Sequence, residues 1–523
     1  MCPLMRLVTV MLLVHASHAR APDRFTFVEV PDPLSGINPT YPLVPMIETA
    51  VGDTFLDPEF GTTQVRATAT DGIHGRHEYA RFDPFNCDKT MILLDPDELW
   101  SVYGTSVFPY NQPSNLVQAV HIEEIRWDPP DPNTLWSVSG FEIRTVNVVT
   151  GATAAIKDFS RDPTIGPLIP GSPVYRITMK DEGESSRDER FWAFFLQGND
   201  QADCEPLFVF TWDRQTDTVL GVYPIPPNER ALDWAGMSVL GNRVVIGGDG
   251  QAGDINGLTI ATPSFTFSRD SGPIGHCDVG LDTEGREVVA GQNAGTDYVD
   301  MIICDATTPP LPVMRLFYSS DSPSGLQSGI HVSCNAEGYA MISTHIEPGL
   351  PERNWLDRSN VLVRLDPLRP RVFYLSKVHN TTQTYWEETH GTISSDGPVV
   401  VWADNWGQNV GRDQVALTTL MMPSDWREMT GGAGGAPQPP LMSGVGVGQS
   451  FPNPFSDCVV IPYRLAQPDR VERAVYDLLG HRLQTLVSRR LCAGSSHQAL
   501  WDGRDERALN VASGLCLCHL RTA

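Results

Sequence analysis

The chain has 523 residues, of which 41% are hydrophobic and 19% charged, a composition typical of folded proteins with two or more domains. Its formal net charge is −25, and no cluster of Lys and Arg offsets this charge locally. Because contacts to nucleic-acid phosphates need such clusters, nucleic acid is excluded as an expected partner. With 45 Gly and 42 Pro between short apolar runs, the chain is predicted to be mostly β.

The N-terminus has the pattern of a signal peptide, which we assign to residues 1–21. Arg6 supplies a positive charge, Leu7–Val14 is an apolar run too short to span a bilayer, and small residues follow at Ser17–Ala21. A frayed apolar N-terminus is the alternative. No later segment has the length and apolarity of a transmembrane helix, so we expect a protein that is secreted or located at the cell surface.

A repeated pattern of strands follows a Pro-rich lead-in segment at residues 22–60. Each unit has a polar start, a turn rich in Ser, Asp, Gly or Asn, an apolar strand, a polar loop and a further strand. The seven units are Ala80–Asp95, Ile125–Gly151, Arg190–Gly221, Asp233–Ala261, Gly275–Asp305, Gly329–Asp366 and Glu388–Leu420. Their period of roughly 40–65 residues matches four-stranded blades, so residues 61–422 are predicted to form a seven-bladed β-propeller. An array of β-sandwiches is the structural alternative.

The C-terminal part of the chain has a different composition. Residues 423–448 contain GGAGGAPQPP and GVGVG, which predict a Gly/Pro-rich linker. Residues 449–523 then contain short alternating runs such as Val459–Leu465 and Arg470–Asp477. The predicted fold class is therefore all-β, a seven-bladed β-propeller followed by a small C-terminal immunoglobulin-like β-sandwich.

Several motifs in this last segment are recognisable in their order. They are FPNPF at Phe451–Phe455, VYDLLGH at Val475–His481, WDGRD at Trp501–Asp505 and VASG from Val511. With these motifs the segment resembles the FlgD-like immunoglobulin-fold module, close kin of the type A sorting domain of the bacterial type IX secretion system (T9SS). The resemblance implies that export and sorting machinery is a partner. The segment departs from the family pattern at Leu515–Cys518, where aromatic residues are usual.

The repeated half carries a second resemblance. The segments that carry it are HEYARFDPFN at His77–Asn86, GHCDVGLD at Gly275–Asp282, GIHVSC at Gly329–Cys334 and ETHGTISSDG from Glu388. It resembles the TolB-like and oligogalacturonate-lyase-like propellers of secreted bacterial proteins. In the lyase-like members a histidine-bound metal neutralises a substrate carboxylate. The resemblance covers no complete catalytic set, so we assign no catalytic residue and no organic cofactor.

Four histidines stand at or just before the first strand of a unit: His77, His276, His331 and His390. Because the innermost strands of a propeller line its channel, equivalent positions in different blades converge at the channel mouth. Neutral imidazoles gathered there are ligands for a divalent metal such as Mn, Zn or Fe. Gln327, Asp278 and Glu388 lie close by in sequence and are candidates to complete the site. Hydrogen bonding between neighbouring loops is the structural alternative for these histidines.

Tryptophans and cysteines carry weaker signals. Trp127, Trp386, Trp402 and Trp406 suit either stacking on sugar rings or packing between blades. The chain has 10 Cys, with Cys2 inside the predicted signal peptide. Their irregular spacing argues against a zinc ribbon and predicts buried, inert thiols.

Together these features predict an exported bacterial propeller that binds a carbohydrate or protein ligand at its channel face. The alternative is a metal-dependent polysaccharide lyase of the oligogalacturonate type. Its acidic substrate requires metal or local Arg, such as Arg76, Arg81 and Arg126, to offset the net negative charge. Whether the protein is an enzyme stays open at the level of sequence.

Overall fold

The computed structural model describes most of the chain. The described residues are 25–35, 37–70, 75–95, 100–120, 122–169, 174–198, 205–248, 258–270, 274–293, 295–305, 307–317, 329–346, 354–408, 410–431, 446–447, 459–465, 469–476, 480–491, 494–501, 503–507, 509, 511 and 516–522. The predicted signal peptide and the FPNPF motif lie outside them. None of the helices within these ranges has the length and apolarity needed to cross a membrane.

Strands dominate the described residues, and we number them in chain order. Before the first blade come β1 (Val28–Glu29), β2 (Thr54–Leu56) and β3 (Thr63–Arg66). Blade one contains β4 (Met91–Leu94), β5 (Ser101–Gly104) and β6 (Leu116–Ala119), with an inner bridge between Phe85 and Ile92. Blade two contains β7 (Arg126–Trp127), β8 (Thr134–Ser139), β9 (Glu142–Asn147) and β10 (Thr153–Asp158). Blade three contains β11 (Val174–Thr178), β12 (Phe191–Gly198), β13 (Pro206–Asp213) and β14 (Thr218–Pro224).

The remaining blades follow the same order. Blade four contains β15 (Trp234–Met237), β16 (Val244–Gly247), β17 (Thr259–Ala261) and β18 (Phe267–Asp270). Blade five contains β19 (Ile274–Leu281), β20 (Glu287–Asn293), β21 (Tyr298–Ile303) and β22 (Leu311–Arg315). Blade six contains β23 (Gly329–Ser333), β24 (Tyr339–His345), β25 (Ser359–Arg364) and β26 (Arg371–Lys377). Blade seven contains β27 (Thr392–Ile393), β28 (Val399–Asp404) and β29 (Ala416–Met421).

The described helices are short. The 3₁₀ turns are Pro113–Asn115, Phe159–Arg161, Gly166–Leu168, Pro227–Glu229 and Tyr385–Glu387, and the α-helical turn is Trp426–Met429. Within the described ranges, the strands of residues 28–421 form seven antiparallel sheets, each of three to five strands in meander order. The prediction of an all-β propeller is confirmed.

Apolar side chains fill the space between neighbouring blades. Seven buried clusters each join two sheets that follow one another, including Trp136 with Phe194 between blades two and three. One of them joins Val399 of blade seven to Ile92 of blade one. Among the described residues the core is therefore a closed ring of interfaces, in which each blade packs on its two neighbours.

Segments from the N-terminus complete the last two blades. Strand β3 pairs with β29, with Thr419 opposite Val65, and β2 pairs with the other edge of β3. Strand β1 pairs with β26 as a fifth strand of blade six. The predicted lead-in segment 22–60 thus supplies two strands to the propeller sheets, and β3 closes the ring by joining the start of the chain to its last blade.

Polar contacts reinforce the seam between blades one and seven. Lys89 forms an ion pair with Asp396. The Asp83 carboxylate accepts hydrogen bonds from the main-chain N–H and the hydroxyl of Ser395, at 2.7 and 2.8 Å. Burial raises the pKa of Asp83 to about 6 in spite of these bonds.

A second all-β unit follows the propeller. Its strands are β30 (Gly446–Val447), β31 (Val459–Leu465), β32 (Asp469–Tyr476), β33 (Arg482–Leu491), β34 (Gly494–Trp501) and β35 (Leu517–Thr522). They form two three-stranded sheets, ordered β30-β31-β34 and β33-β32-β35. Leu465 of the first sheet packs on Val471 of the second within a shared apolar core. This small sandwich matches the predicted C-terminal fold.

Most of the described cysteines carry buried or half-buried thiols. Cys277 and Cys334 are buried in the propeller, and burial raises the pKa of Cys277 to about 11. Cys516 and Cys518 do not bridge each other. Cys87 is disulfide-bonded, which corrects the prediction of inert thiols at that position.

Closure by β3 can be tested at Val65. Proline at this position removes a ladder N–H, so Val65→Pro is expected to lower the free energy of unfolding by about 2 to 3 kcal/mol. Val65→Ala keeps the hydrogen bonds and is expected to cost less, and Val149→Ala, an exposed position in blade two, is the control. Denaturant unfolding measures all three. Equal stability of Val65→Pro and the control would show that β3 does not close the ring.

Candidate metal site at the channel mouth

The structure brings the four predicted histidines together. The rings of His331 and His390 have centroids 4.1 Å apart, and those of His276 and His331 are 5.2 Å apart. Burial, together with the positive charges of Arg76 and His331, lowers the pKa of His77 to about 3. Four separate blades therefore supply one cluster, with His276 exposed at its outer side and the other three buried.

Two members of the cluster have an unusual backbone. His276 in β19 and His390, just before β27, each have φ of 41°, in the left-handed region that side chains other than glycine rarely adopt. Such backbone costs on the order of 1–3 kcal/mol and persists where the surrounding structure enforces it. Both of these imidazoles contact the ring of His331, which lies between them in the cluster.

Glu388 connects the cluster to a further histidine. His331 Nε2 donates to Glu388 Oε2 at 2.7 Å, and His345 Nε2 lies 3.4 Å from Glu388 Oε1. Burial alone raises the pKa of Glu388, but the two histidine contacts outweigh it and hold that pKa well below its usual value. Glu388 is thus an ionised carboxylate in a largely buried site.

The hydrogen bonds also fix the tautomers of two rings. Because an ionised carboxylate only accepts, His331 carries its proton on Nε2. His390 Nε2 donates to the carbonyl of Tyr385 at 3.0 Å. The Nδ1 atoms of both rings are buried and have no hydrogen-bond partner. Each Nδ1 therefore presents a lone pair, while each Nε2 donates to a carboxylate or a carbonyl.

These residues have the spacing of a metal-binding group. One ligand atom from each of His331, Glu388 and His390 lies within 4.8 Å of the others. Two imidazoles and a carboxylate suit Mn, Zn or Fe. His77 and His276 flank this group but are not part of it. Binding of a metal stays a prediction.

His345 is a site residue that sequence reasoning missed. It ends β24, directly opposite Gly329 at the start of β23. A Cβ on Gly329 would lie 2.0 Å from His345 Nε2, so glycine is needed there for the imidazole to reach Glu388. The signal in the sequence is this cross-strand pair, which becomes visible only once the register of the two strands is known.

Aromatic side chains form a wall beside the histidines, and the sequence analysis did not single out its tyrosines. Tyr79 and Tyr385 lie 5.4 and 5.0 Å from His390 between ring centroids. Trp386 lies 6.3 Å from His390. Tyr385 is 42% exposed and Trp386 is 41% exposed. Both rings are therefore accessible to a ligand at the mouth.

The three arginines near the channel are already occupied. Arg76 pairs with Asp95 at 3.1 Å and lies over the Trp386 ring. Arg81 pairs with Glu182 at 3.3 Å. Arg126 pairs with Glu78 at 2.9 Å. Each of the three arginines is paired with a carboxylate. They therefore offset little of the repulsion between an acidic ligand and this negatively charged protein.

Other sequence candidates lie elsewhere. Asp278 accepts hydrogen bonds from the main chain of Cys334 and Val279, and Gln327 lies outside the described residues. Trp402 is fully buried in the core between blades six and seven. Trp406 stacks on His379. Of the tryptophans considered for sugar stacking, Trp386 lies at the histidine cluster.

No protein-family model matches the chain, and no curated protein matches it. Many solved structures are similar in fold, among them the following two. One, "Crystal Structure of Mitotic Checkpoint Complex", has a TM-score of 0.39 and 10% identity, over 73% of this chain and 98% of that one. The other, "Crystal structure of TolB from Acinetobacter baumannii", has a TM-score of 0.27 and 12% identity, over 59% of this chain and 66% of that one. The resemblance of residues 449–523 to a sorting domain stays a prediction.

The predicted metal group can be tested by titration. The purified protein is expected to bind about one Mn, Zn or Fe ion per chain, because one ligand atom from each of two imidazoles and a carboxylate lie within 4.8 Å of one another. Metal analysis after dialysis should show loss of the ion in His331→Ala, His390→Ala and Glu388→Gln. His519→Ala, an exposed histidine of the sandwich, is the control. A parent protein that takes up no ion from any of these metals would contradict the prediction.

Proposed function

We propose that this protein binds a ligand at the channel mouth, around a divalent metal ion held by His331, His390 and Glu388. The observation that carries the proposal is that one ligand atom from each of these residues lies within 4.8 Å of the others, in a site where the Nδ1 atoms of both histidines have no hydrogen-bond partner. Burying such nitrogens is unfavourable unless they gain a partner. A bound metal would supply Lewis acidity toward a ligand oxygen.

The surroundings of the cluster favour a neutral, polar ligand with flat faces. Trp386 and Tyr385 present accessible rings, and sugar rings stack on such surfaces. The arginines at the channel are each paired with a carboxylate, so they leave little attraction for an anion. Among the predicted ligand classes, a neutral carbohydrate fits these features best, ahead of a protein.

The metal-dependent lyase is the second candidate function. It shares the metal group, and Glu388 is an ionised carboxylate beside it that can accept a proton. Its acidic substrate, however, would have to displace the carboxylates that pair with the channel arginines. Incubation of the metal-loaded protein with polygalacturonate tests this candidate, and formation of unsaturated products would favour it over binding alone.

Carbohydrate binding can be tested on a glycan array followed by calorimetry. Trp386→Ala is expected to weaken binding of the preferred glycan about tenfold, since an aromatic stacking contact contributes roughly 0.5–1.5 kcal/mol. Phe267→Ala, an equally exposed aromatic on the outer strand β18, is the matched control. An array with no binder, or equal affinities of both variants, would contradict a carbohydrate ligand at this mouth.

We also propose that the chain is exported, with residues 1–21 removed and residues 449–523 read by sorting machinery. The support is the signal-peptide pattern and the ordered motifs of the sandwich. In a bacterium with the secretion system, the full chain is expected at the cell surface or in the medium, beginning after residue 21. A chain ending at residue 448 should stay in the periplasm. Surface location of that shortened chain would show that the sandwich is not a sorting signal.

A further inference from the structure

Glu387 stands between two residues of the candidate site. Trp386, before it, is 41% exposed at the channel mouth, and Glu388, after it, belongs to the metal-binding group. Glu387 itself is fully buried. Burying a carboxylate is unfavourable unless hydrogen bonds satisfy its oxygens. The partners of these two oxygens therefore indicate what the residue does.

Four main-chain N–H groups donate to the Glu387 carboxylate. Gln383 and Thr384, directly before the 3₁₀ turn, donate to Oε2 at 2.8 and 3.3 Å. Gly411 and Arg412, in the loop between β28 and β29, donate to Oε1 at 2.5 and 3.2 Å. Because each oxygen holds a different segment, one carboxylate joins the segment at the mouth to this loop.

The main chain of Glu387 is held as well. Its carbonyl accepts hydrogen bonds from the Asn380 side chain and from the Thr382 hydroxyl, the latter at 3.2 Å. Its N–H donates to the carbonyl of Thr384 at 3.1 Å. Side chain and main chain are thus both fixed, which restrains the 3₁₀ turn that contains Trp386.

A second contact joins the same two segments. The Asn405 side chain accepts a hydrogen bond from the N–H of Thr381 at 3.0 Å and donates one to its carbonyl at 2.8 Å. Gly411 has φ of 79°, and a Cβ there would lie 2.8 Å from the side-chain oxygen of Gln383. The loop therefore approaches the segment that carries Trp386 closely at both of its ends.

We propose that Glu387 is a positioning residue that fixes Trp386 and Glu388 relative to each other. The inference rests on the proposed function, which assigns the metal to Glu388 and the stacked ligand to Trp386. One anchored turn then serves both parts of the site. Loss of the anchor is expected to weaken binding of the metal and of the ligand together, whereas loss of the Trp386 ring should weaken the ligand alone.

Glu387→Gln tests the anchor with the smallest change of shape. An amide has one acceptor oxygen and an NH₂ group that cannot accept, so two of the four N–H donors lose their partner. By calorimetry the variant is expected to bind Mn²⁺ and the best-binding glycan of the array about tenfold more weakly each. Trp386→Ala is expected to keep the Mn²⁺ affinity of the parent.

Glu287→Gln is the matched control. Glu287 is also a buried carboxylate that accepts a main-chain N–H, from Leu240 at 2.6 Å. It lies opposite Leu281, at the end of β19 farthest from His276, so this variant is expected to bind both probes like the parent. A Glu387→Gln variant that loses stability to denaturant but keeps both affinities would overturn the proposal, because its role would then be structural only.

Asn405→Ala provides a second variant that leaves Glu387 intact. It removes the other contact between the two segments and is expected to weaken both probes about two- to threefold, since fewer hydrogen bonds are lost. This variant decides the question if Glu387→Gln does not fold. Parent affinities in Asn405→Ala would then contradict the anchoring of the mouth by this loop.

Hydrogen exchange separates the anchor from the proposed function, because it needs neither metal nor glycan. Peptides that span residues 381–390 are expected to exchange faster in Glu387→Gln than in the parent and in Glu287→Gln. Unchanged exchange would overturn the anchor. Faster exchange in a protein whose parent binds neither Mn²⁺ nor any glycan would support the anchor and contradict only the proposed function.

Discussion

The pairing of β3 with β29 is the constraint on which the rest of the propeller depends. Each blade buries its faces only against its two neighbours, and the cluster that joins Val399 to Ile92 exists only if the last blade meets the first. Closing a loop of this length is entropically costly, but the cost grows slowly with chain length. The hydrogen bonds of β3 and the contacts of Asp83 and Lys89 with blade seven are gained only at closure.

The candidate site lies across the same closure. His77 comes from blade one, His276 from blade five, His331 from blade six, and His390 from blade seven. The contacts of His276, His331 and His390 join the consecutive blades five, six and seven. Only His77, from blade one, reaches the cluster across the seam, so the seam completes the cluster.

The fold and the four histidines at the centre of the site could both be predicted from the sequence, because both follow from its repeat. The period of the turns defines blades, and equivalent positions in blades must converge, so His77, His276, His331 and His390 were identifiable without coordinates. His345 was not, because its role depends on strand register and on the missing side chain of Gly329. Tyr385 lies in a 3₁₀ turn whose position follows from the capping of Thr384 and Glu387. The disulfide of Cys87 was missed because cysteine spacing alone does not fix pairing.

The net negative charge of the chain differs from the charge state of individual acidic residues near the channel. A net charge of −25 would repel an acidic ligand if it acted on the channel directly. Around the channel arginines, however, burial raises the pKa of Glu124 and Glu184 to about 7 each. Arg76, Arg81 and Arg126 each have a carboxylate partner. Glu388 differs from these groups, because its contacts with His331 and His345 hold its pKa low and keep it ionised at the histidine cluster.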